Sequence, residues 1–360
     1  MSTDQQPGRN RAAGGVKRVT LADVAKRAGV SQTAASFVLT GRREEMRLST
    51  QVEARVLQAA QETGYRPNIV SRSLRTGTTQ TIGFISDTVA TTPFAGDLIR
   101  GALEAARDRG HLLLIAETEG DPLLEKQLLE AMADRQVDGI VLASMYTRKL
   151  TVPKLLRNRN VVLLNAIPTR AANMVSVIPD ELEAGRTAAD TVLEAGHRDG
   201  IYLIGVGPRP GQGQRPPGSV AAIERLQGIT ETLARAGVAP AGAIGCVDWQ
   251  PELGFAAVKK LLAGGAQPRA LICFNDRLAI GAYNALAGAG LVIPTDVAVI
   301  SFDDDPIASW VQPQLTTIAI PHYELGRKSI EILLDGPPEH ASNDTRVHRV
   351  NMPLRRRQSV

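Results

Sequence analysis

The sequence is poor in cysteine and in aromatic residues, and it has no long apolar run. Of its 360 residues only Cys246 and Cys273 are cysteine, and neither lies in a Cys-x-x-Cys pair or a Cys/His cluster. This excludes a disulfide framework and gives no zinc-binding pattern. No segment approaches the roughly 20 apolar residues of a membrane helix, and residues 1–18 lack the apolar stretch of a secretion signal. We therefore expect a cytoplasmic protein with no membrane segment, metal ion or cofactor.

Positive charge is concentrated near the N-terminus. Residues 1–80 contain 13 Lys and Arg against 6 Asp and Glu, whereas residues 81–360 contain 28 against 31. A basic segment of this kind either binds a polyanion such as nucleic acid or only improves solubility. Because the charge balance leaves both readings open, the pattern inside the basic segment has to decide between them.

Three short helices are predicted within residues 19–65, after a flexible basic tail over residues 1–18. Each helix has a hydroxyl residue that can cap its start, apolar residues at helical spacing, and a glycine at its end. The three pairs of start and end are Thr20 with Gly29, Ser31 with Gly41, and Ser49 with Gly64. The tight turn between the first two helices predicts a helix-turn-helix unit with one small core.

Residues 66–80 are predicted to form a hinge helix and a linker. Pro67 suits a helix start, and residues 76–79 (TGTT) are typical of a linker. The segment has few apolar residues to keep it folded alone, so we expect it to become ordered only against a partner.

From residue 81 onward, β-rich runs alternate with amphipathic helical stretches, which is typical of parallel sheets built from β-α units. Two sets of strands indicate two Rossmann-like lobes with a ligand cleft at the carboxyl ends of the strands. The predicted strands are 81–86, 112–116, 139–143, 161–165 and 175–178 in the first set, and 200–205, 242–247, 270–275 and 297–302 in the second. The predicted helices are 96–109, 123–135, 181–195, 223–236, 252–263 and 277–289.

Several motifs in a fixed order closely resemble the LacI/GalR family of bacterial transcriptional regulators. They are VTLADVAKRAGVSQTAASFVLTGR, YRPNIVSRSLR, TIGFIS, DGIVLAS, AGHRDGIYLIG, FNDRLAIGAYNAL, GLVIPTDVAVISFDD and QPQLTTIAIP. The resemblance implies an α-helical helix-turn-helix DNA-binding headpiece joined to an α/β effector domain that is periplasmic-binding-protein-like and has two lobes. The expected boundaries are about 81–178 plus 320–335 for lobe 1, about 179–319 for lobe 2, and 336–360 for a C-terminal segment. Family members are usually dimers or tetramers that repress transcription from near-palindromic operators and respond to small molecules, commonly sugars. We expect a homodimer because the C-terminal segment has no coiled-coil heptads.

The start of the second helix is the predicted DNA-reading surface, because side chains there reach base edges in the major groove. The outward candidates are Ser31, Gln32, Thr33, Ser36 and Phe37. By resemblance, Gln32, Thr33 and Phe37 occupy sequence-reading positions, but Phe37 stands where the family commonly has a polar or basic residue. Its ring either touches a thymine methyl group or packs inward on the three-helix core.

Four hinge residues are candidate DNA contacts as well. Leu74 matches the leucine that family dimers insert into the minor groove, where an apolar wedge unstacks a base step and bends the duplex. The alternative is a flexible linker with an incidental leucine. Asn68, Ser71 and Arg72 are expected to flank Leu74, and Ser71 replaces the alanine that is usual there.

The candidate effector contacts follow the predicted strands. By resemblance, Trp249 supplies an aromatic ring that stacks on the effector, Asp303 supplies a carboxylate for hydroxyl groups, and Arg225 supplies a basic contact that leaves room for a phosphate or carboxylate. The remaining candidates are Asp87, Phe94, Asn275 and Asp276. For these four and for Arg225, capping or packing roles are the alternative.

Two other functions are weighed against an effector-controlled regulator. An enzyme is suggested by Asp303, Asp304 and Asp305, which could bind a cation or act as acid and base, although successive carboxylates in a loop point in different directions. A solute-binding protein of a transporter is suggested by the two lobes, but the DNA-reading head and the lack of a signal peptide oppose it. The preferred prediction is a DNA-binding regulator that is not an enzyme.

Overall fold

The computed structural model describes residues 19–66, 77–92, 96–170, 174–207, 214–336 and 346–360. The chain divides into two units, residues 1–79 and residues 80–360. The predicted tail over residues 1–18 and most of the predicted hinge lie outside the described residues. Within the described residues, no helix is long and apolar enough to span a bilayer.

The N-terminal unit contains the three predicted helices, α1 (Leu21–Ala28), α2 (Gln32–Leu39) and α3 (Thr50–Thr63). Their ends follow from local capping. Thr20 forms a capping box with Asp23, while the hydroxyl groups of Ser31 and Ser49 accept hydrogen bonds from first-turn amides. A short 3₁₀ helix, Arg43–Met46, lies between α2 and α3 and was not predicted. The helices enclose a core of Val24, Ala25, Ala28, Ala35, Val38, Val56 and Ala59.

The second unit contains two six-stranded sheets with helices packed on them. The first sheet has the order β11-β5-β4-β3-β1-β2, and the second has the order β12-β10-β9-β8-β6-β7. The strands are β1 (Thr81–Ser86), β2 (Leu112–Glu117), β3 (Gly139–Leu150), β4 (Val161–Pro168), β5 (Val175–Pro179), β6 (Ile201–Gly205), β7 (Gly242–Gly245), β8 (Ala270–Cys273), β9 (Ala298–Asp303), β10 (Thr316–Ala319), β11 (Val347–Val350) and β12 (Leu354–Arg355). The helices are α4 (Gly96–Asp108), α5 (Pro122–Asp134), α6 (Glu181–Glu194), α7 (Val220–Arg235), α8 (Pro251–Ala263), α9 (Asp276–Gly288) and α10 (His322–Asp335).

All pairings in the two sheets are parallel except that of β12, which runs antiparallel to β10. The central strands are buried along nearly their whole length, as expected for parallel sheets covered by helices on both faces. The two-lobed architecture predicted from the alternating pattern is therefore present. Most strand ends differ from the predicted ones by a few residues, but β3 continues to Leu150 instead of ending at residue 143. Strands β10, β11 and β12 and helix α10 were not predicted.

The expectation of a separate C-terminal segment over residues 336–360 is wrong. Strand β11 pairs with β5 in the first sheet, and strand β12 pairs with β10 in the second sheet. Ser359 is buried, where its hydroxyl donates to the carbonyl of Val299. Because β12 is only two residues long and both strands follow a polar stretch, local pattern could not reveal that this segment completes both lobes.

Three helix pairs approach closely through glycines. A Cβ atom at Gly185 of α6 would overlap the carbonyl oxygen of Arg225 in α7, and one at Gly228 of α7 would overlap that of Leu182. The same reciprocal contact joins α4 with α10 through Gly101 and Gly326, and α8 with α9 through Gly254 and Gly281. Glycine is required at these positions because no side chain fits between the backbones.

Candidate functional site

The outer face of α2 is polar and uncharged. Ser31 is the N-cap, Gln32 and Thr33 are exposed in the first turn, and Ser36 lies partly exposed one turn later. Ala34, Ala35 and Val38 face the core of the unit. Since a helix turns through 3.6 residues, the predicted reading residues share the side opposite these buried ones.

Phe37 is half-buried, and the guanidinium of Arg42 lies over its ring at 5.1 Å from the ring centroid. The side chain of Arg42 is itself 44% exposed. Phe37 is not one of the partly buried side chains that pack against the three-helix core in the described part of the chain, so the structure does not support the alternative of inward packing. Arg42 was not singled out from the sequence, because its contact with Phe37 depends on the turn that ends α2.

The predicted hinge contacts Asn68, Ser71, Arg72 and Leu74 lie outside the described residues, as does the predicted effector contact Phe94. Their roles remain predictions.

A cavity of about 890 Å³ lies between the two lobes, at the carboxyl ends of several strands. Of the predicted effector contacts, it brings together Arg225, Trp249, Asn275 and Asp303. The opposite wall includes Met145, Tyr146, Thr147 and Asn165 from the first lobe. A cavity of this size is typical of sites for small molecules.

Arg225 extends from α7 and is 2% exposed. Its guanidinium donates to both carboxylate oxygens of Glu181, to the carbonyl of Phe274 at 2.6 Å, and to Asp303 at 3.4 Å. Burial alone would lower the pKa of Arg225, but Glu181 and Asp303 outweigh it and the pKa is raised. The Arg225 guanidinium is therefore charged, and most of its N–H groups already donate to protein acceptors. Few of them remain for the phosphate or carboxylate that the sequence analysis considered as a ligand group.

Asp303 ends β9 in an unusual backbone conformation, with φ of 113°. Burial raises the pKa of its carboxyl group, and the nearby Arg225 opposes that rise. The two following carboxylates have other partners, since Asp304 pairs with Arg357 at 2.6 Å and Asp305 caps the short helix that starts at Pro306. The three carboxylates thus point in different directions, as the sequence analysis expected, and do not form an acid–base pair.

Trp249 and Asn275 are held together at the second-lobe wall. The indole Nε1 of Trp249 donates to the carbonyl of Gly205 at 3.0 Å, and its ring meets Phe274 edge to face. Asn275 caps α9 through its Oδ1 and donates from Nδ2 to the carbonyl of Trp249. Asn275 therefore has the capping role that was considered for it, while it also lines the cavity.

Two predicted effector contacts are not part of the cavity lining. Asp276 is fully buried, where it accepts hydrogen bonds from Ser301, Thr317 and the backbone amide of Asp305. Burial raises its pKa to about 7, despite these three donors. Asp87 accepts from the amide of Met145 and pairs with Arg148 at 3.0 Å. Both carboxylates are occupied by structural partners, so their assignment as effector contacts is corrected.

Three polar residues of the cavity wall, Thr147, Asn165 and His322, were not predicted from the sequence. Among the described residues, Thr147 Oγ1, Asn165 Oδ1 and His322 Nδ1 are buried without a hydrogen-bond partner in the protein. Asn165 lies in the buried part of β4 with φ of 52°, and its Nδ2 donates to the carbonyl of Ser144. Burial lowers the pKa of His322, which keeps the imidazole neutral. Buried polar atoms without a partner are costly, so their gathering at one cavity indicates a site that receives polar ligand atoms. The only sequence feature that pointed to this wall was Asn165, a polar residue at the end of the predicted strand 161–165.

Family models match both units of the chain. Residues 20–68 match the model of bacterial regulatory proteins of the lacI family, and residues 189–360 match that of the periplasmic binding protein-like domain. The ribose operon repressor of Escherichia coli (strain K12) is 31% identical over 344 residues, which cover 95% of this chain and 96% of that protein. The HTH-type transcriptional regulator AscG of the same strain is 33% identical over 327 residues, covering 88% of this chain and 92% of AscG.

Solved structures with the same fold cover nearly the whole chain. The Lac repressor dimer bound to operator and the anti-inducer ONPF has a TM-score of 0.77 at 24% identity, covering 95% of this chain and 99% of that one. The complex of the transcriptional regulator CelR with cellobiose has a TM-score of 0.64 at 25% identity, covering 95% and 100%. With the capped helix-turn-helix unit, the two-lobed domain and these relatives in agreement, the chain belongs to the LacI family of bacterial transcriptional regulators.

Proposed function

We propose that this protein is a transcriptional repressor that binds a near-palindromic operator as a homodimer and is controlled by a small uncharged effector in the cavity between its lobes. The observation that carries this proposal is the combination, in one chain, of an exposed polar reading helix with a cavity of about 890 Å³ that is lined by both polar and apolar groups. In support, the similar ribose operon repressor is a repressor by name, and the Lac repressor, which shares the fold, was solved as a dimer bound to operator and an anti-inducer.

The DNA-binding side of the proposal rests on α2. Gln32 can donate and accept on an adenine edge, and Thr33 can bond to several bases, while backbone amides and basic groups fix the position on the phosphates. In a dimer, two such helices read two half-sites, which explains the expected near-palindrome. The hinge residue Leu74 is proposed to open a base step at the centre of the operator.

The effector side rests on the chemistry of the cavity wall. Arg225 is engaged by Glu181, Asp303 and a backbone carbonyl, so an anionic ligand would compete with carboxylates already in place. Asn165 Oδ1 accepts a hydrogen bond, while the Thr147 hydroxyl and His322 Nδ1 can donate or accept, so ligand hydroxyl groups suit all three, and the ring of Trp249 offers an apolar surface. A neutral polyhydroxylated molecule, such as a sugar, supplies both.

Control follows from differential binding. An effector changes operator affinity only if it binds one arrangement of the two lobes more tightly than the other. The residues that line the cavity come from both lobes. A bound effector can therefore favour the arrangement in which the two lobes close on it. Because operator DNA of a bacterium lies in its cytoplasm, we propose a cytoplasmic location. Because Asp303, Asp304 and Asp305 each have structural partners, we propose no enzymatic activity.

The test is selection of binding sites from random duplex DNA by the full-length protein at physiological salt. An enriched sequence with two inverted half-sites is the expected result, and survivors with no shared sequence would contradict the repressor proposal. The recovered duplex then serves as the probe in an effector screen that starts with D-ribose and cellobiose. We expect one sugar to change the affinity for the duplex, and a change caused only by sugar phosphates would contradict the neutral-ligand proposal.

A further inference from the structure

The helix proposed to read DNA carries no charge of its own. The sequence of α2, QTAASFVL, contains no acidic or basic residue, and Ser31 before it is neutral as well. Charge near the reading surface has to come from neighbouring segments, and electrostatic attraction to phosphates supplies a large share of DNA affinity. The basic residue that contacts this surface is Arg42, whose guanidinium lies over the ring of Phe37.

The turn that ends α2 fixes Arg42 in this place. Gly41 adopts the left-handed conformation with φ of 72°, and the amide of Arg42 donates to the carbonyl of Phe37 at 2.9 Å. This is the backbone pattern of a Schellman turn, which returns the chain to the last turn of the helix. The backbone of Arg42 is therefore anchored next to Phe37, and its side chain reaches back over the Phe37 ring.

Arg42 is held by a neighbour within the same short segment. Its Nε and Nη2 atoms donate to the two carboxylate oxygens of Glu45. The two side chains are 44% and 51% exposed, so solvent screens the pair and its net stability is small. The pair also raises the pKa of Arg42, which stays charged. An arginine fork that fits a carboxylate also fits a phosphate.

We propose that Arg42 contacts a backbone phosphate of the bound duplex, and that Glu45 holds its guanidinium in the free protein and gives it up when the phosphate takes its place. The inference rests on the proposed function, since it concerns the same DNA-binding surface. It makes Glu45 an internal competitor that moderates affinity for any duplex, while Gln32 and Thr33 carry the sequence preference.

The experiment measures DNA affinity of the full-length protein between about 50 and 200 mM salt, on the selected duplex and on an unrelated duplex. Arg42→Gln should weaken binding to both duplexes alike and reduce the slope of log affinity against log salt by about 0.9. The advantage of the wild type over this variant should therefore shrink about threefold across that salt range. Glu45→Gln should tighten binding, and the gain should vanish when Arg42→Gln is added.

The matched control is Glu62→Gln. Glu62 pairs with Arg27 between α1 and α3, so its loss adds the same charge to the unit without touching the α2 turn. An equal gain from Glu62→Gln would overturn the proposal, because the effect would then be general charge. An unchanged salt slope in Arg42→Gln, or a loss confined to the selected duplex, would also overturn it.

The two proposals fail in different ways. If the wild type enriches no sequence from random DNA, the repressor proposal fails, yet the salt slope on the unrelated duplex still decides whether Arg42 contacts a phosphate. Because the Schellman turn uses only backbone groups of Arg42, the thermal unfolding of Arg42→Gln should match that of the wild type.

Discussion

Arg225 and Glu181 form a buried bidentate ion pair, with Nε and Nη2 of the arginine at 2.6 Å and 3.2 Å from the two carboxylate oxygens. Both side chains are only 2% exposed. The pair joins α7 to the first turn of α6, and it fixes the guanidinium that in turn contacts Asp303. The packing of α6 against α7 therefore sets the position of Arg225 and Asp303 in the cavity wall.

Replacing Glu181 with glutamine should destabilise the two-lobed unit by about 3 kcal/mol, because it leaves the buried guanidinium with weaker compensation. Urea unfolding of the full-length protein measures this change. The control is Glu183→Gln, which removes an exposed pair with Arg186 and should cost less than about 1 kcal/mol. Equal losses in the two variants would mean that burial does not govern the energy of the pair.

Gly185→Ala should impair both stability and the cavity. A Cβ atom there would overlap the carbonyl oxygen of Arg225, so α7 must move away from α6 and carry the Arg225 side chain with it. We expect a loss of more than about 2 kcal/mol. Gly288→Ala is the control, because no atom lies within 4 Å of a Cβ atom at Gly288 and alanine is the better helix former. If Gly185→Ala and Gly288→Ala changed the free energy of unfolding by the same amount, the close contact between α6 and α7 would not be the cause of the loss.

Stability should depend on pH through Asp276. Burial raises the pKa of this carboxyl from 3.8 to about 7, so between these values the folded state binds more protons than the unfolded state. Its contribution to the free energy of unfolding is therefore largest at low pH, decreases as pH rises through this window, and is constant above it. The difference between the wild type and Asp276→Asn, measured by urea unfolding across the window, isolates this contribution. The free energy of unfolding of the wild type minus that of Asp276→Asn should fall as pH rises. If this difference rises instead, the pKa of Asp276 is not raised by folding.

Variants of the cavity and of the DNA-binding unit should separate the two binding activities. Trp249→Ala and Asp303→Ala should abolish the response to the effector while leaving operator affinity nearly unchanged. Leu74→Ala should weaken operator binding without changing effector binding. Calorimetry and DNA-binding titrations on each variant check this separation. Loss of both activities in one variant, with normal folding, would contradict the division of roles.

Gln32→Ala should reduce discrimination at one base pair of each half-site by about 1–3 kcal/mol, because a side-chain contact to a base edge is lost. Its salt slope should stay that of the wild type, in contrast to the Arg42 variant. Repeating the duplex selection with the variant measures the change directly, and an unaltered sequence preference would remove Gln32 from the reading surface.

The helices of the N-terminal unit could be predicted because their caps lie within a few residues of the apolar pattern they start. The same holds for the two sets of strands, whose buried runs are continuous in the sequence. The position of Asp276 could not be predicted, because the side chains of Asn275 and Asp276, two neighbouring residues after β8, point to different partners. Asn275 caps α9 beside the cavity, while Asp276 turns to Ser301 and Thr317 of neighbouring strands. Such divergence depends on tertiary contacts that no local pattern encodes.

One edge of each sheet is supplied by residues 347–355, with β11 pairing with β5 in the first sheet and β12 pairing with β10 in the second. During synthesis on the ribosome these residues emerge after the other strands of the described part of the chain, so until then β5 and β10 each lack a partner on one side. An unpaired sheet edge readily pairs with other chains. We therefore expect each lobe to keep one unpaired strand edge, prone to pairing with other chains, until residues 347–355 have been synthesised.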